Sequence, residues 1–480
     1  MSATKGRLLC VVATLCGCLS VALVAQDRSK PPTLGPPSTL TLPSIQKRAL
    51  SNGLPVWVIE NHEVPLVQVN LVIRAGSGDD PAGTFGLSSL TAAMLDEGAG
   101  TRSSLQIADA VEFLGATLST TSGFDASAVR MNVPVARLAD ALPVMADVVL
   151  RPTFPDADLN RLRQERLTAL LQARDEPESI APMAFARLVF GPTHRYGTGA
   201  MGTNATLRAF TATDLRAFHV AHYQPARSTF VVVGDISADV AVSLLEKQFG
   251  GWKNAATATR VDVPAAPQLS RGETVLVDVP GAAQSQIRIG WVGVSRSTPD
   301  FAAIQVLNTI LGGSFTSRLN QNLREEHGYT YGASSRFEMR LSPGAFVAGA
   351  GVQSDKTAES IREFFNELNG ISKPIGEEEL GKAENYMALS FPGQFETSSD
   401  LAANLEELIA YNLPENYFAQ YVPRIRAITA NELQKVAGRY IQPSRFVVVV
   451  VGDRKVIEPG VRALNLGPVR AMTVDEALGP

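Results

Sequence analysis

Apolar residues along this chain alternate between two rhythms, one of period two and one of helical spacing. Residues 67–73 (V-Q-V-N-L-V-I) open with clean alternation and read as a strand, and residues 56–59 (V-W-V-I) form a shorter strand before it. Glu60-Asn61-His62 turns out of the first strand, and residues 76–83 form a turn-rich loop after the second. Leu87, Leu90 and Met94 then recur at helical spacing, which predicts a helix over 87–95 with Gly98 as its C-cap. A second helix is predicted over 107–114, stopped by Gly115, and residues 116–133 read as two strands joined at Gly123-Phe124-Asp125. A helix over 139–149 leads to Pro152. Another starts at Asp156 and Asp158, whose charges suit a positive helix start, and runs through Leu159, Leu162, Leu170 and Leu171. Hairpins followed by helix pairs make an α+β pattern rather than an alternating β-α-β one.

One pattern occurs twice. Residues 223–235 read Y-Q-P-A-R-S-T-F-V-V-V-G-D and residues 441–453 read I-Q-P-S-R-F-V-V-V-V-V-G-D, with Gln224 and Gln442, and Asp235 and Asp453, both 218 positions apart. A helical run precedes each copy: T-D-L-R-A-F-H-V-A-H in one case and N-E-L-Q-K-V-A-G-R-Y in the other. The reading is a helix, a proline stop, then a strand ended by Gly-Asp. The valine run is too continuous for a half-exposed strand, so both of its faces are expected to be covered. Residues 284–291 (Q-S-Q-I-R-I-G-W) repeat the first half's alternating strand, with Gln286 again 218 after Gln68. Phe301, Ile304, Leu307 and Leu311 then make an amphipathic helix ended by Gly312-Gly313. These matches predict a duplicated domain. The expected division is a leader (1–25), a Pro-rich linker (26–44), a first domain (45–250), a linker (251–272), a second domain (273–460) and a tail (461–480).

Composition adds limits. The 480 residues are 45% hydrophobic and 19% charged, enough for a sizeable core, and a net charge of −4 gives no sign of a nucleic-acid partner. Lys5 and Arg7 precede an apolar run over 8–25, the layout of a secretory leader. That leader is read as a cleaved signal, with a retained membrane anchor or lipidation at Cys18 as alternatives. Cys10, Cys16 and Cys18 all lie within it. A cleaved chain would have no disulfide and no thiolate, which suits a bacterial periplasm.

The run from Gly312 (G-G-S-F-T-S-R-L) and the run from Leu323 (L-R-E-E-H-G-Y-T-Y), with the two Q-P…V-V-G-D repeats, resemble the insulysin/pitrilysin family of zinc peptidases, the family of mitochondrial processing peptidase. N-G-L-P-V at Asn52, E-N-H-E-V-P at Glu60 and G-L-S-S-L at Gly86 extend the resemblance over roughly residues 45–460. It implies an α+β fold of two homologous domains, each a mostly antiparallel sheet with helices packed on it, forming half of a clamshell around an unfolded peptide. Active members carry H-x-x-E-H in the helix after the second strand, two histidines for zinc and a general base between them. Counted from Gly86, the histidines fall on Ser89 and Ala93 and the glutamate on Ala92; the third ligand, counted back from Pro177, falls on Ala169. Methyl groups and a neutral hydroxyl do not hold zinc. The five histidines are His62, His194, His219, His222 and His327. Only His219 and His222 are close in sequence, and they are read as ordinary helix-face residues.

The resemblance assigns Arg324 and Tyr331 to binding peptide near the scissile carbonyl, where cationic and phenolic donors suit developing negative charge. Residues 118–122 correspond to an edge strand that in active members pairs with peptide backbone. The reading is therefore a chain that catalyses nothing alone, binds no zinc and supplies Arg324 and Tyr331 to a homologous partner carrying H-x-x-E-H and the zinc. The alternative is a non-enzymatic peptide-binding or scaffold protein of the same fold, similar to the core subunits of the respiratory bc1 complex.

Overall fold

In a computed structural model, residues 41–255 and 262–479 are described. The expected leader, its three cysteines and most of the Pro-rich linker lie outside the described residues, as do residues 256–261 of the linker between halves.

Among the described residues two six-stranded sheets form, one from each half. The first holds β1 (Gln46–Ala49), β2 (Pro55–Glu60), β3 (Leu66–Ile73), β4 (Thr117–Ser122), β5 (Ser127–Pro134) and β6 (Ser228–Gly234), in the order β1-β2-β6-β3-β5-β4. The second holds β7 (Glu273–Asp278), β8 (Gln284–Val292), β9 (Thr330–Phe337), β10 (Ala345–Gln353), β11 (Val447–Gly452) and β12 (Val469–Met472), in the order β9-β10-β8-β11-β7-β12. Read from opposite edges the two orders match, with β4 equivalent to β9, β3 to β8 and β6 to β11. Most pairings are antiparallel; β2 with β6, β7 with β11 and β7 with β12 are parallel. The fold is thus α+β, two homologous sheet-and-helix domains.

Both copies of the repeated pattern fold alike. Thr211 caps the helix Ala212–His222 by accepting from the Asp214 N–H, and Thr429 caps Ala430–Tyr440 by accepting from Glu432. Proline then ends each helix and the valine strand follows, buried along its length. One face of each strand joins its own half's core: Phe230 and Val232 of β6, Val448 and Val450 of β11. The other face is covered by a helix from the opposite half. Helices α1 (Leu87–Ala93), α2 (Asp156–Gln172), α3 (Pro177–Phe190), α4 (Ala212–His222) and α5 (Ser398–Ala410) are the ones that matter below. From α3, Ile180, Ala181 and Ala184 pack on Val447, Val449 and Val451. From α5, Leu401, Ala402 and Leu405 pack on Val231 and Val233. Gly290 in β8 makes room for α3, since a Cβ there would lie 2.8 Å from the Phe185 ring. Polar contacts fix the other crossing. Arg130 of β5 makes a bidentate pair with Glu406 of α5 (2.7 and 2.5 Å), and Asn70 of β3 donates to the same carboxylate at 2.6 Å.

Two boundaries differ from expectation. The helix of the G-L-S-S-L run stops at Ala93, and Gly98 is not its cap: it lies in a two-residue strand, where a Cβ would come within 2.6 Å of Thr153 Oγ1. The segment 461–480, set apart as a tail, completes a helix, adds β12 to the second sheet and packs the short helix Val474–Leu478 near α3.

Candidate functional site

The turn-rich loop before α1 is held by buried charge. Asp80 accepts from the Gly86 and Ser88 N–H groups, both at 2.8 Å, and so caps α1. Arg195 donates to Asp80 at 3.2 Å, to the Thr198 carbonyl at 2.9 Å and to the Ser77 carbonyl. Burial raises the Asp80 carboxyl to about 6, against the pull of Arg195 and the two N–H groups. Asp79 beside it accepts from Arg227 at 2.8 Å, and Arg227 also donates to His222 Nδ1 at 2.8 Å. Burial lowers His222 to about 4, so its ring is neutral and that nitrogen is an acceptor. His219 Nε2 is 2.8 Å from the Val149 carbonyl. The two histidines of α4 are therefore spent on separate structural contacts.

Ser89, Ala92 and Ala93 all lie on α1, with Ala92 buried and the other two half-buried, while Ala169 is exposed on α2. What joins the two helices is a residue that pattern and counting passed over. Arg166, one turn before Ala169 on the same face of α2, donates from one terminal nitrogen to Ser89 Oγ and from the other to the Ser89 carbonyl, both at 2.9 Å. Burial pushes its guanidinium down to about 10. A face of methyl groups beside a fixed positive charge offers zinc no donor and repels it, so the residues present do not fit the metal. Among the described residues no three His, Cys, Asp or Glu side chains gather where an ion could sit. Glu165 pairs with Arg161 at 2.9 Å. Ser88 is fully buried, with its Oγ 2.7 Å from Ser122 Oγ on β4.

The second half builds a different surface. Arg324 sits in a π-helical turn (Gln321–Glu326), its guanidinium 4.4 Å from the centre of the Phe315 ring and 3.2 Å from the Glu325 carboxylate. The chain reverses at Gly328 and enters edge strand β9. There the pairing with β10 breaks between Thr330 and Ala333, which leaves Tyr331 in a bulge and 91% exposed. Among the described residues no hydrogen bond or cation–ring contact joins Arg324 to Tyr331. Asn320, 4% exposed, ties their supports together: it donates to the Phe315 carbonyl at 2.7 Å and accepts from the Ala333 N–H at 3.1 Å. Tyr329, set aside as packing, stacks on His327 at 4.9 Å. In the first half the equivalent edge strand β4 pairs only with β5 among the described residues, and Thr117, Ser119 and Thr121 are exposed.

Comparison with known proteins adds the following. A family model described as insulinase (Peptidase family M16) matches residues 56–193, and one described as the peptidase M16 inactive domain matches residues 209–387. A Mycobacterium leprae protein described as an uncharacterized zinc protease is 27% identical over 326 residues, covering 68% of this chain and 73% of its own. The uncharacterized zinc protease YmxG of Bacillus subtilis is 25% identical over 367 residues, 75% of this chain and 87% of its own. Among solved structures, a peptidase M16 inactive domain from Pseudomonas fluorescens has a TM-score of 0.80 at 23% identity and covers 85% of this chain and 98% of its own. A Helicobacter pylori protease also reaches 0.80, at 20% identity, over 85% and 100%. At these identities the structural likeness speaks for the fold.

Proposed function

Because this chain belongs to the insulinase family, peptidase family M16, and lacks that family's zinc-binding motif, we propose that it is the non-catalytic subunit of a two-chain zinc peptidase. In this reading it pairs with a homologous chain that carries H-x-x-E-H and the zinc. It offers Arg324 and Tyr331 to an unfolded peptide in that partner's site. The pair works outside the cytoplasm, in a periplasm, where the leader directs this chain.

One observation carries the reading: α1 has lost every metal donor and faces a cation, while the second half keeps an arginine and an unencumbered tyrosine on a bulged edge strand. A phenol and a guanidinium are donors suited to a carbonyl oxygen gaining charge. The phenol is 91% exposed and so is open to a ligand. Reconstitution tests it. The purified chain should hold no stoichiometric zinc and cleave no peptide. Mixed with an H-x-x-E-H partner co-purified from the native host, it should give zinc-dependent cleavage of flexible peptides that neither chain shows well alone. Full activity of the partner without this chain, or about one zinc per copy of this chain by elemental analysis, would overturn it.

A further inference from the structure

Arg166 is an expensive residue for the place it occupies. Among the described residues it makes two hydrogen bonds, both to Ser89, and no ion pair. A hydroxyl and a carbonyl are neutral acceptors, so the two bonds to Ser89 leave the guanidinium charge unanswered. Taking a guanidinium out of water with no anion to answer it is unfavourable. Its neighbours on α2 do not supply that anion, because Glu165 is engaged by Arg161, and Arg161 also takes Glu97 at 2.5 Å. Arg166 is half-buried rather than sealed, and its remaining N–H groups are unspent.

The surroundings suggest what would complete it. Ser89, which holds Arg166, follows Ser88, and Ser88 is hydrogen-bonded to Ser122 at the end of edge strand β4. The unpaired edge of a sheet and a cation lacking its anion thus flank the first turn of α1. An extended peptide can add to such an edge through main-chain hydrogen bonds, and its last residue brings a carboxylate, the group a guanidinium fork binds best.

We infer that the emptied metal centre of this chain is a carboxylate receptor, in which Arg166 binds the C-terminal carboxylate of a peptide laid along β4. This rests on the reading that the chain holds peptides, but not on its pairing with a catalytic partner, so the test uses the full chain alone. The probe is a pool of randomised decapeptides with an N-terminal fluorophore, made once with a free C-terminus and once as the C-terminal amide, with binding followed by fluorescence anisotropy. A charge-assisted hydrogen bond predicts that wild type binds the free acid about tenfold or more tightly than the amide. Arg166→Gln, which removes the charge while keeping a polar side chain, should bind both forms alike at the amide's affinity, and Arg166→Lys should keep part of the preference. Equal affinity for acid and amide in wild type, or no binding of either, overturns the inference without reference to any variant. A preference that survives in Arg166→Gln overturns it as well. The reconstituted peptidase is read separately through Arg324 and Tyr331, so failure here leaves that reading standing.

Discussion

Tyr331 owes its exposure to a single irregularity in pairing. Thr330 Oγ1 donates to the Gly351 carbonyl at 2.7 Å and accepts from the Gly332 N–H at 3.1 Å, so the threonine side chain takes over bonds that a regular ladder would make. The phenol is left unspent for a ligand. In the reconstituted peptidase, Tyr331→Phe should lower turnover by roughly 10²-fold, by comparison with losing an oxyanion donor. Arg324→Ala should lower it similarly and weaken peptide binding as well. The two losses should be less than additive if both groups hold one carbonyl region. Steady-state kinetics decides this, with size-exclusion chromatography as the control for assembly, since neither change removes a large apolar anchor. Unchanged turnover in the double variant would assign the pair a structural role. The resemblance pointed to these two residues because they stand in one unbroken run. It missed Asn320, whose part depends on reaching both a loop carbonyl and a strand N–H. It missed Arg166 for a related reason. Counting along the chain located Ala169 and its neighbour Glu165, whereas the contact to Ser89 joins residues 77 positions apart.

At the scale of the element, α1 is a short helix whose position is set from its N-terminal end. Seven residues cannot hold themselves in a helix in water, so the cap and the packing must do it. Asp80 is that cap, and it has an unusual dependence on pH. Burial raises its carboxyl from 3.8 to about 6, so the folded protein holds this proton more tightly than the unfolded chain does. Between those two values the folded state binds more protons than the unfolded one, and the contribution of this group to stability falls as pH rises. Relative to Asp80→Asn, which has no proton to lose, wild type should therefore lose on the order of 2–3 kcal/mol from about pH 4 to about pH 6. Urea midpoints of both proteins across that window measure the difference. Taking the difference also removes the buried His222, which acts in the opposite sense. A flat or rising difference would mean that Arg195 and the two N–H groups outweigh burial. The helix itself was legible from Leu87, Leu90 and Met94. Its true end was not, because Gly98 serves a close approach to Thr153 that no local pattern encodes.

The whole molecule is two sheets that each lack one face until the other half supplies it. The unbroken valines of the repeat required cover on both sides, and that much could be read from the chain. The cover itself could not, because α3 carries Pro182 and presents small residues, Ala181 and Ala184, where a strongly periodic helix would announce itself. Both sheets belong to one compact unit. The exchange of helices has an energetic consequence. Leu405 is 3% exposed and belongs to the second half by sequence, yet it packs on Val231 and Val233 of the first sheet. If the halves were independent, truncating it would loosen one of them. If the exchange makes them interdependent, Leu405→Ala should destabilise both together, by about 2–5 kcal/mol for a buried leucine. The tryptophans report on each half. Trp57 lies in β2 of the first sheet, and Trp291, 1% exposed, lies in β8 of the second, donating to the Tyr440 carbonyl at 3.0 Å. Changing Trp252 and one of these two to Phe leaves a single reporter in either half. Urea transitions followed at Trp57 and at Trp291 should coincide in the parent proteins and shift by equal amounts when Leu405→Ala is added, as expected for one cooperative unit. Separate transitions, or a shift seen at Trp57 and not at Trp291, would show that the crossing helices pack the halves together without coupling their folding.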